Sequence, residues 1–202
     1  MKAPTKLSRL IGSALLLVAT ACASLPSEYP PPPDTVALAP DPGTALGRHV
    51  ADFAARHGSD VSGYSPLDAN GEALEWRLAL VDSAERSLDL LYYLWYNDPS
   101  GLVLLEHVIE AAERGVRVRA VVDDALFLKG KSSLANLSAH QNIEVRVFNP
   151  WASKGATRAF ETVARAKKLN RRMHDKLLIA DNQAAILGGR NIGDHYFGLH
   201  HK

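Results

Sequence analysis

Short apolar runs of strand length alternate with amphipathic helical patterns between residues 73 and 187. Runs rich in leucine, tyrosine and β-branched residues favour buried strands, and helical periodicity between them favours covering helices. The predicted strands are 87–96, 116–122, 143–148, 177–180 and 184–187; the predicted helices are 44–57, 73–84, 102–114, 132–141 and, as helix or basic loop, 158–169. This alternation predicts an α/β protein, a layered α/β/α sandwich with a mostly parallel sheet.

The shortest predicted connection joins the last two strands. Only Asp181, Asn182 and Gln183 separate them, and so short a turn joins strands that run antiparallel. The sheet is therefore expected to be mixed. Because 47% of the 202 residues are hydrophobic and 22% are charged, the chain can bury a core and is not predicted to be disordered. A formal net charge of +1 indicates no particular class of partner.

The first 22 residues have the organisation of an export signal. Lys2, Lys6 and Arg9 form a positive start, residues 10–18 form an apolar run, and small residues precede Cys22. The apolar run is too short to span a bilayer as a mature helix. Cys22 is the only cysteine, so no disulfide can form within the chain.

The position of Cys22 resembles that of the lipidated cysteine in the lipobox of bacterial lipoproteins, although Ala19 stands where leucine is usual. The resemblance implies lipidation of Cys22 as the mature N-terminus and attachment to the bacterial cell envelope. Ala23 stands where an aspartate would favour retention in the inner membrane. We therefore expect an outer-membrane protein that faces the periplasm. The alternative is an ordinary cleaved signal peptide with an incidental cysteine.

A proline-rich stretch follows the cysteine, with prolines at 26, 30–33, 40 and 42. Such a stretch favours extended polyproline conformation and does not form a core. We therefore divide the chain into a signal peptide at residues 1–22, a linker at 23–43 and a folded domain at 44–202.

The residues with the clearest chemical potential lie beside the fourth predicted strand. His174 and Lys176 are two positions apart, so in β geometry their side chains project from the same face. Gly188 and Gly189 allow backbone to approach a ligand closely, and Asn191 offers an amide donor. Lysine and asparagine can bind phosphoryl oxygens, and histidine can attack phosphorus or transfer a proton near neutral pH. The cluster predicts a phosphate-directed site.

The surroundings of His174 decide between a catalytic and an ordinary histidine. A single histidine is more often packed or on the surface, but Lys176 shares its strand face, and Arg171 and Arg172 precede it directly. The basic run at 154–172 has two open interpretations, a solvated helix face or a positive approach for an anionic substrate. No metal or cofactor is predicted, because the histidines lack the spacing of zinc ligands.

Three further features have structural interpretations that we prefer. Asp123 and Asp124 end a predicted strand, where loop capping is favoured over metal binding. The aromatic residues of 92–96 could stack on a ligand, but a core strand with an exposed rim is the simpler account. Asp181 lies five residues beyond Lys176, at the turn, and is predicted to be structural.

A longer pattern extends this cluster: His174-x-Lys176-x-x-x-x-Asp181, followed by Gly188-Gly189-x-Asn191. It resembles the signature of the phospholipase D superfamily. Three stretches resemble the lipoprotein-like subgroup of bacterial cardiolipin synthases: 91–98, 114–119 with 123–124, and 188–197. The region of resemblance extends from about residue 65 to residue 198. Gly189 is a departure, because many superfamily members have serine there.

The resemblance implies a two-step transfer. One histidine attacks the phosphodiester and forms a phosphohistidine, while a second histidine protonates the leaving alcohol and then deprotonates the incoming alcohol or water. Lys176 and Asn191 would neutralise charge on the phosphoryl oxygens in the transition state. The implied substrate is an anionic glycerophospholipid, reached from a membrane to which Cys22 tethers the protein.

This mechanism needs two such histidines, and the chain has one complete motif. We expect the second motif either in sequence missing after residue 202, which we favour, or in a homodimer partner.

Three functions stay open. The first, which we favour, is a membrane-tethered cardiolipin synthase or phospholipase D. The others are a homodimeric exported phosphodiesterase or nuclease, since the basic run also fits nucleic acid, and an inactive half-domain that binds anionic lipid.

Overall fold

A computed structural model describes residues 34–123, 137, 139–150 and 171–199. The chain divides into two units, Met1–Val36 and Ala37–Lys202, and all the described helices and strands lie in the second. They are helices α1 (Ala45–His57), α2 (Asn70–Ser83) and α3 (Pro99–Glu113), strands β1 (Ser87–Tyr92), β2 (Arg117–Asp123), β3 (Ile143–Phe148), β4 (Lys176–Ala180) and β5 (Ala184–Leu187), and a 3₁₀ helix (Asp194–Tyr196).

The five strands form one sheet in the order β3-β2-β1-β4-β5. β1 and β2 pair in parallel, as do β2 and β3, whereas β4 is antiparallel to both β1 and β5. Four strands therefore run in one direction and β4 runs in the other. This arrangement confirms the predicted α/β class with a mostly parallel, mixed sheet.

The covering layer that the structure describes consists of α2 and α3. These helices pack against each other, and α2 also contacts β4 while α3 contacts β2. The helices predicted at 132–141 and 158–169 lie largely outside the described residues. Of the first, only Leu137 and residues 139–141 are described, and residues 139–141 are not helical.

The hydrophobic core lies between the sheet and these two helices. Leu88, Leu90 and Tyr92 of β1 are buried at every second position, as expected for a strand with one face on the core. The same cluster includes Val81, Leu104, Val108, Val118, Leu178, Ile192 and Phe197. Burying each large side chain stabilises the fold by about 1.5–3 kcal/mol.

Helix α3 begins earlier than predicted. Asp98 caps it, since its Oδ1 accepts a hydrogen bond from Gly101 N at 3.0 Å, and Pro99 occupies the first turn. The predicted start at 102 is wrong because residues 97–101 cap and start the helix instead of separating it from the strand. Helix α2 also begins three residues earlier than predicted, at Asn70.

The strand predicted at 87–96 ends at Tyr92. Beyond it, Leu94 N donates to Asn191 Oδ1 at 3.1 Å, and Tyr96 N donates to Ile192 O at 2.9 Å. Ile192 N in turn donates to Leu94 O at 3.2 Å. The predicted strand is too long because the chain after β1 bonds to the segment after β5 instead of continuing its ladder with β4.

The turn predicted between the last two strands is confirmed at residues 181–183. Asp181 and Asn182 have φ values of 51° and 53°. This is the left-handed region, which aspartate and asparagine tolerate better than other non-glycine residues. The side-chain chemistry of the turn thus explains why β4 and β5 are connected so tightly.

The two ends of the sheet have different surroundings. At one end, which we call the motif end (residues 92–96, 122–123 and 171–176), Tyr92 pairs with both Lys176 and Val122. At the other end, the segment before α1 is fastened to the sheet: Arg86 Nη1 donates to Asp41 Oδ2 at 2.9 Å, and Asn182 Nδ2 donates to Leu38 O at 3.2 Å. The segment 38–41 is therefore held at the end of the sheet opposite the motif end.

Several predicted features lie outside the described residues. They are Cys22, most of the linker at 23–43, Asp124 and the basic segment 151–170. Within the described part of the chain, no helix has the length and apolar character needed to cross a membrane.

Candidate active site

His174 and Lys176 lie against the same aromatic ring. The centroid of the Tyr93 ring is 5.0 Å from that of the His174 ring and 5.3 Å from Lys176 Nζ. β4 begins at Lys176, so His174 lies in the segment just before the strand, where Tyr93 N donates to Asp175 O at 3.2 Å. The structure thus brings these two predicted site residues together at the motif end.

Lys176 is 6% exposed, whereas His174 is exposed. Lys176 Nζ donates to the backbone oxygen of His174 at 2.6 Å. Burial lowers the pKa of Lys176, and the charge of Asp175 opposes part of this shift. Among the described residues no carboxylate forms an ion pair with Lys176, so an anionic ligand would meet a poorly solvated positive charge.

Asn191 is held at both ends of its side-chain amide. Oδ1 accepts from Leu94 N at 3.1 Å, and Nδ2 donates to Tyr196 Oη at 2.7 Å, in a residue that is 3% exposed. Lys176 pairs with Tyr92, only two residues before Leu94, and two residues of chain span at most about 7 Å. Lys176 and Asn191 therefore contact the segment 92–94 at positions only two residues apart.

Gly188 and Gly189 lie on the exposed rim of this cluster. Gly188 N donates to Lys176 O at 3.3 Å, directly behind the site. An added Cβ at either glycine would meet nothing within 4 Å. Contacts within the described protein therefore do not explain why Gly189 lacks a side chain, and its open surroundings leave room for a ligand.

Asp181 lies at the other end of β4, away from His174. Its carboxylate accepts hydrogen bonds from the backbone N–H groups of Glu85, Arg86 and Ser87 at 2.7–3.2 Å. The residue is 2% exposed, and its own N–H donates to Ser87 O at 2.8 Å. In this structure Asp181 joins the β4–β5 turn to the start of β1 and does not contact the site.

The segment just before His174 is fixed to the ends of β2 and β3. The buried Asp123 carboxylate accepts from Arg172 Nη1 and from Met173 N, both at 3.0 Å. Asn149 Nδ2 donates to Arg171 O at 2.9 Å. Arg172, which belongs to the basic run, is thus used in an ion pair with Asp123, and Asp123 binds a loop as the sequence suggested.

Sequence reasoning missed the roles of Tyr93 and Tyr196. The sequence predicts Tyr93 as part of a core strand, whereas its ring contacts both His174 and Lys176. Tyr196 follows Asn191 by five residues, and no spacing rule marks it. The turn that carries it is built by reciprocal bonds: Asp194 N donates to Asp98 Oδ2 at 2.8 Å, and Ser100 N donates to Asp194 Oδ1 at 2.9 Å.

A metal centre is not evident in the described ranges, where no three histidine, cysteine, aspartate or glutamate side chains cluster with suitable geometry. The chemistry that the cluster offers is that of its own side chains. An imidazole, an ammonium and an amide donor lie at the motif end of the sheet, a combination of groups that suits a phosphate group.

Comparison with known proteins identifies the family. The family described as "Cardiolipin synthase, PLD-like domain" matches residues 78–201, more than half of the chain. The chain belongs to this family. The resemblance to the phospholipase D superfamily and its cardiolipin synthase branch is therefore confirmed.

Relatives of this PLD-like chain include cardiolipin synthase C of Escherichia coli K12, which is 41% identical over 136 residues, covering 67% of this chain and 28% of the relative. An uncharacterized protein of Helicobacter pylori is 42% identical over 133 residues, with 65% and 26% covered. The major cardiolipin synthase ClsA of Bacillus subtilis is 31% identical over 129 residues, with 62% and 24% covered. The chain spans about a quarter of the length of these relatives.

Solved structures show a weaker similarity to the PLD-like chain. NucT from Helicobacter pylori matches with a TM-score of 0.47 and 18% identity, covering 63% of this chain and 72% of that one. Nuc from Salmonella typhimurium, a phospholipase D family member, matches with a TM-score of 0.44 and 25% identity, covering 66% and 72%.

Proposed function

We propose that the chain supplies one half of a phosphodiester-transfer site that acts on phospholipids. The observation that carries this proposal is the placement of His174, Lys176 and Asn191 at the motif end of a cardiolipin synthase-type, PLD-like domain. Family membership supports phosphodiester chemistry in general, and the names of two relatives support a phospholipid substrate.

The proposed reaction has two displacements at phosphorus. In the first, a histidine nitrogen forms an N–P bond, the P–O bond to the leaving alcohol breaks, and a second histidine gives that alcohol a proton. In the second, the acceptor alcohol or water attacks phosphorus, its proton passes to the second histidine, and the N–P bond breaks. A glycerophospholipid acceptor yields cardiolipin, and water yields phosphatidic acid. His174 supplies one of the two histidines.

Lys176 and Asn191 stabilise the charge that builds on the phosphoryl oxygens. Lys176 has little exposed surface, so the attraction of its ammonium to an anion is less screened by water than that of an exposed lysine. Asn191 uses one Nδ2 hydrogen on Tyr196, and the other has no bond to any described residue, which leaves it for a phosphoryl oxygen. The open rim at Gly188 and Gly189 gives the headgroup access.

The second histidine is proposed to come from another copy of the motif. Its source is either further sequence of the same protein or a second copy of this chain. The single motif in the 202 residues also supports a second candidate function, a homodimeric exported phosphodiesterase or nuclease with two copies of His174. A monomeric mass in solution without DNA hydrolysis would eliminate that candidate.

The decisive experiment measures lipid exchange. The protein encoded by the complete reading frame is incubated with vesicles that contain phosphatidylglycerol, and cardiolipin and phosphatidic acid are quantified by mass spectrometry. His174→Ala should abolish both products. The matched control is His107→Ala, which removes a histidine on α3 that pairs with Asp82 at 2.7 Å, away from the site.

Three results would change the proposal. Unchanged cardiolipin formation by His174→Ala would refute the catalytic role of His174. DNA hydrolysis without lipid exchange would establish the nuclease alternative. Vesicle binding by the wild-type protein without any product would establish the inactive lipid-binding half-domain.

We also propose that the protein is exported and lipid-anchored at the outer membrane, facing the periplasm. The support is the positively charged start, the short apolar run and the small residues before Cys22. In cells grown with labelled palmitate, the wild-type protein should carry label and appear in the outer-membrane fraction, and Cys22→Ser should carry none. An unlabelled, freely soluble wild-type protein would instead indicate an ordinary cleaved signal peptide.

A further inference from the structure

The side-chain amide of Asn191 is fixed by two partners of opposite kind. Leu94 N–H donates to Oδ1, and Tyr196 Oη accepts from Nδ2 at 2.7 Å. A rotated amide would place Nδ2 against the N–H of Leu94, where two donors face each other. The two bonds together define both the identity and the plane of the amide, and so the direction of its remaining N–H.

Tyr196 is itself held by its neighbours. Its ring centroid lies 4.1 Å from that of His195, and His195 packs edge-on against Tyr96 at 4.9 Å. The backbone leading into this turn passes close to Tyr96, since a Cβ on Gly193 would lie 2.7 Å from Tyr96 Cδ2. The hydroxyl of Tyr196 therefore has a defined position from which to hold Asn191.

We propose that Tyr196 is a positioning residue, whose hydroxyl holds the Asn191 amide so that its second Nδ2 hydrogen is directed at a phosphoryl oxygen. The inference rests on the proposed function, because it assigns the use of Asn191 within that same site. Tyr196 contacts no substrate in this scheme and acts through Asn191 alone.

The test compares two tyrosine variants in the protein from the complete reading frame. Tyr196→Phe removes the bond to Asn191, and Tyr92→Phe removes another tyrosine hydroxyl, which accepts from Arg77 Nε at 3.3 Å and does not contact Asn191. With bis(p-nitrophenyl) phosphate as a simple diester, Tyr196→Phe should lower kcat by about 5- to 10-fold, the loss of one hydrogen bond, and leave KM nearly unchanged. Tyr92→Phe should leave both constants nearly unchanged.

A double substitution separates positioning from loss of structure. If Tyr196 acts through Asn191, then adding Tyr196→Phe to Asn191→Ala should lower kcat no further. Fully additive effects of the two substitutions would overturn the proposal, because Tyr196 would then act independently of Asn191.

Hydrogen exchange of the Asn191 side chain, measured by NMR, tests the role of Tyr196 even if the diester is not cleaved. In ¹⁵N-labelled protein, the side-chain NH₂ signals of Asn191 are assigned by their loss in Asn191→Ala. Their hydrogen exchange should accelerate about 5- to 10-fold in Tyr196→Phe and stay unchanged in Tyr92→Phe. Equal exchange in wild type and Tyr196→Phe would overturn the proposal that the hydroxyl holds the amide.

Titration with sodium tungstate, a phosphate analogue, separates a failure of the proposed function from a failure of the role proposed for Tyr196. The Asn191 NH₂ signals should shift on tungstate addition, with nearly the same affinity in wild type and Tyr196→Phe, as the unchanged KM requires. A wild-type protein that neither binds tungstate nor cleaves diester would refute the proposed function, while the exchange rates still decide whether Tyr196 holds Asn191.

Discussion

The buried carboxylate of Asp123 binds Arg172 through a 3.0 Å contact between Oδ1 and Nη1. Its second oxygen accepts from Met173 N at 3.0 Å, so both residues before His174 are joined to the end of β2. The side chain of Asp123 has no exposed surface, and that of Arg172 is 17% exposed. The position of His174 therefore depends on a carboxylate 51 residues earlier in the chain.

Asp123→Asn should lower both stability and turnover. The amide keeps one acceptor but leaves the charge of Arg172 poorly compensated in a mostly buried place, at a cost of about 2–3 kcal/mol. The loosened segment should also misplace His174, so activity per folded molecule should fall. Urea denaturation followed by assay under conditions where the variant is fully folded measures the two effects separately.

The matched control is Asp89→Asn. Asp89 of β1 pairs with Arg119 of β2 at 2.5 Å, and the pair is also mostly buried. The Asp89→Asn substitution removes a similar ion pair from the same sheet and leaves the contacts of residues 171–176 unchanged. It should destabilise the fold but leave activity per folded molecule intact; equal activity losses in the two variants would mean that Asp123 affects only stability.

Asp181→Asn should be a stability variant only. The change keeps a residue that tolerates the left-handed backbone at φ 51° but removes the charge that three backbone N–H groups share. The expected loss is about 2 kcal/mol of unfolding free energy, with normal activity in the folded fraction. Asp41→Asn, which alters an exposed pair with Arg86, should cost under about 1 kcal/mol. A fully stable but inactive Asp181→Asn would show that this carboxylate takes part in the chemistry.

The elements that could be predicted are those whose causes are local. The β4–β5 turn follows from aspartate and asparagine in adjacent left-handed positions, and the pairing of His174 with Lys176 follows from a separation of two residues. The position of Asp181 in the turn predicts a structural role. Its partners, however, lie 94 to 96 residues away and have no sequence signal.

The parts that could not be predicted depend on contacts between distant segments. β1 ends early because the Asn191 side chain, 97 residues from Leu94, takes the next available N–H. The contacts of Tyr93 with His174 and Lys176 depend on the register between β1 and β4, and the sequence around Tyr93 does not reveal that register. Periodicity reports which face a residue occupies, but not which side chain meets it there.

Because of Lys176, the affinity for tungstate and the free energy of unfolding should change in opposite directions as the pH rises into the alkaline range. Burial lowers its pKa below the ordinary value of about 10.4, so the folded protein loses this proton before the unfolded chain does. Tungstate affinity should therefore fall as pH rises through the lowered pKa. Between the two pKa values the unfolded chain binds more protons, so this residue makes stability rise with pH.

Lys176→Met provides the comparison for both measurements. It should bind tungstate weakly at every pH and lose the part of the pH dependence of stability that belongs to Lys176. Calorimetric titrations and urea unfolding between neutral pH and about pH 10.5 would show both trends. An affinity that stays constant until an ordinary lysine titrates would contradict the role assigned to the buried ammonium.

Gly189→Ala should weaken anion binding without weakening the fold. An alanine Cβ at this position would meet no atom within 4 Å, so the melting temperature should stay within about 2 °C of wild type. If the backbone at Gly189 approaches the phosphate, the methyl group will interfere, and tungstate affinity should fall about 5-fold or more. Gly71→Ala, in the first turn of α2 and equally free of contacts, should leave tungstate affinity unchanged and should not lower the melting temperature. A Gly189→Ala protein with wild-type affinity would mean that the open rim is not where the anion binds, and the ligand would then have to approach Lys176 and Asn191 from the side of His174.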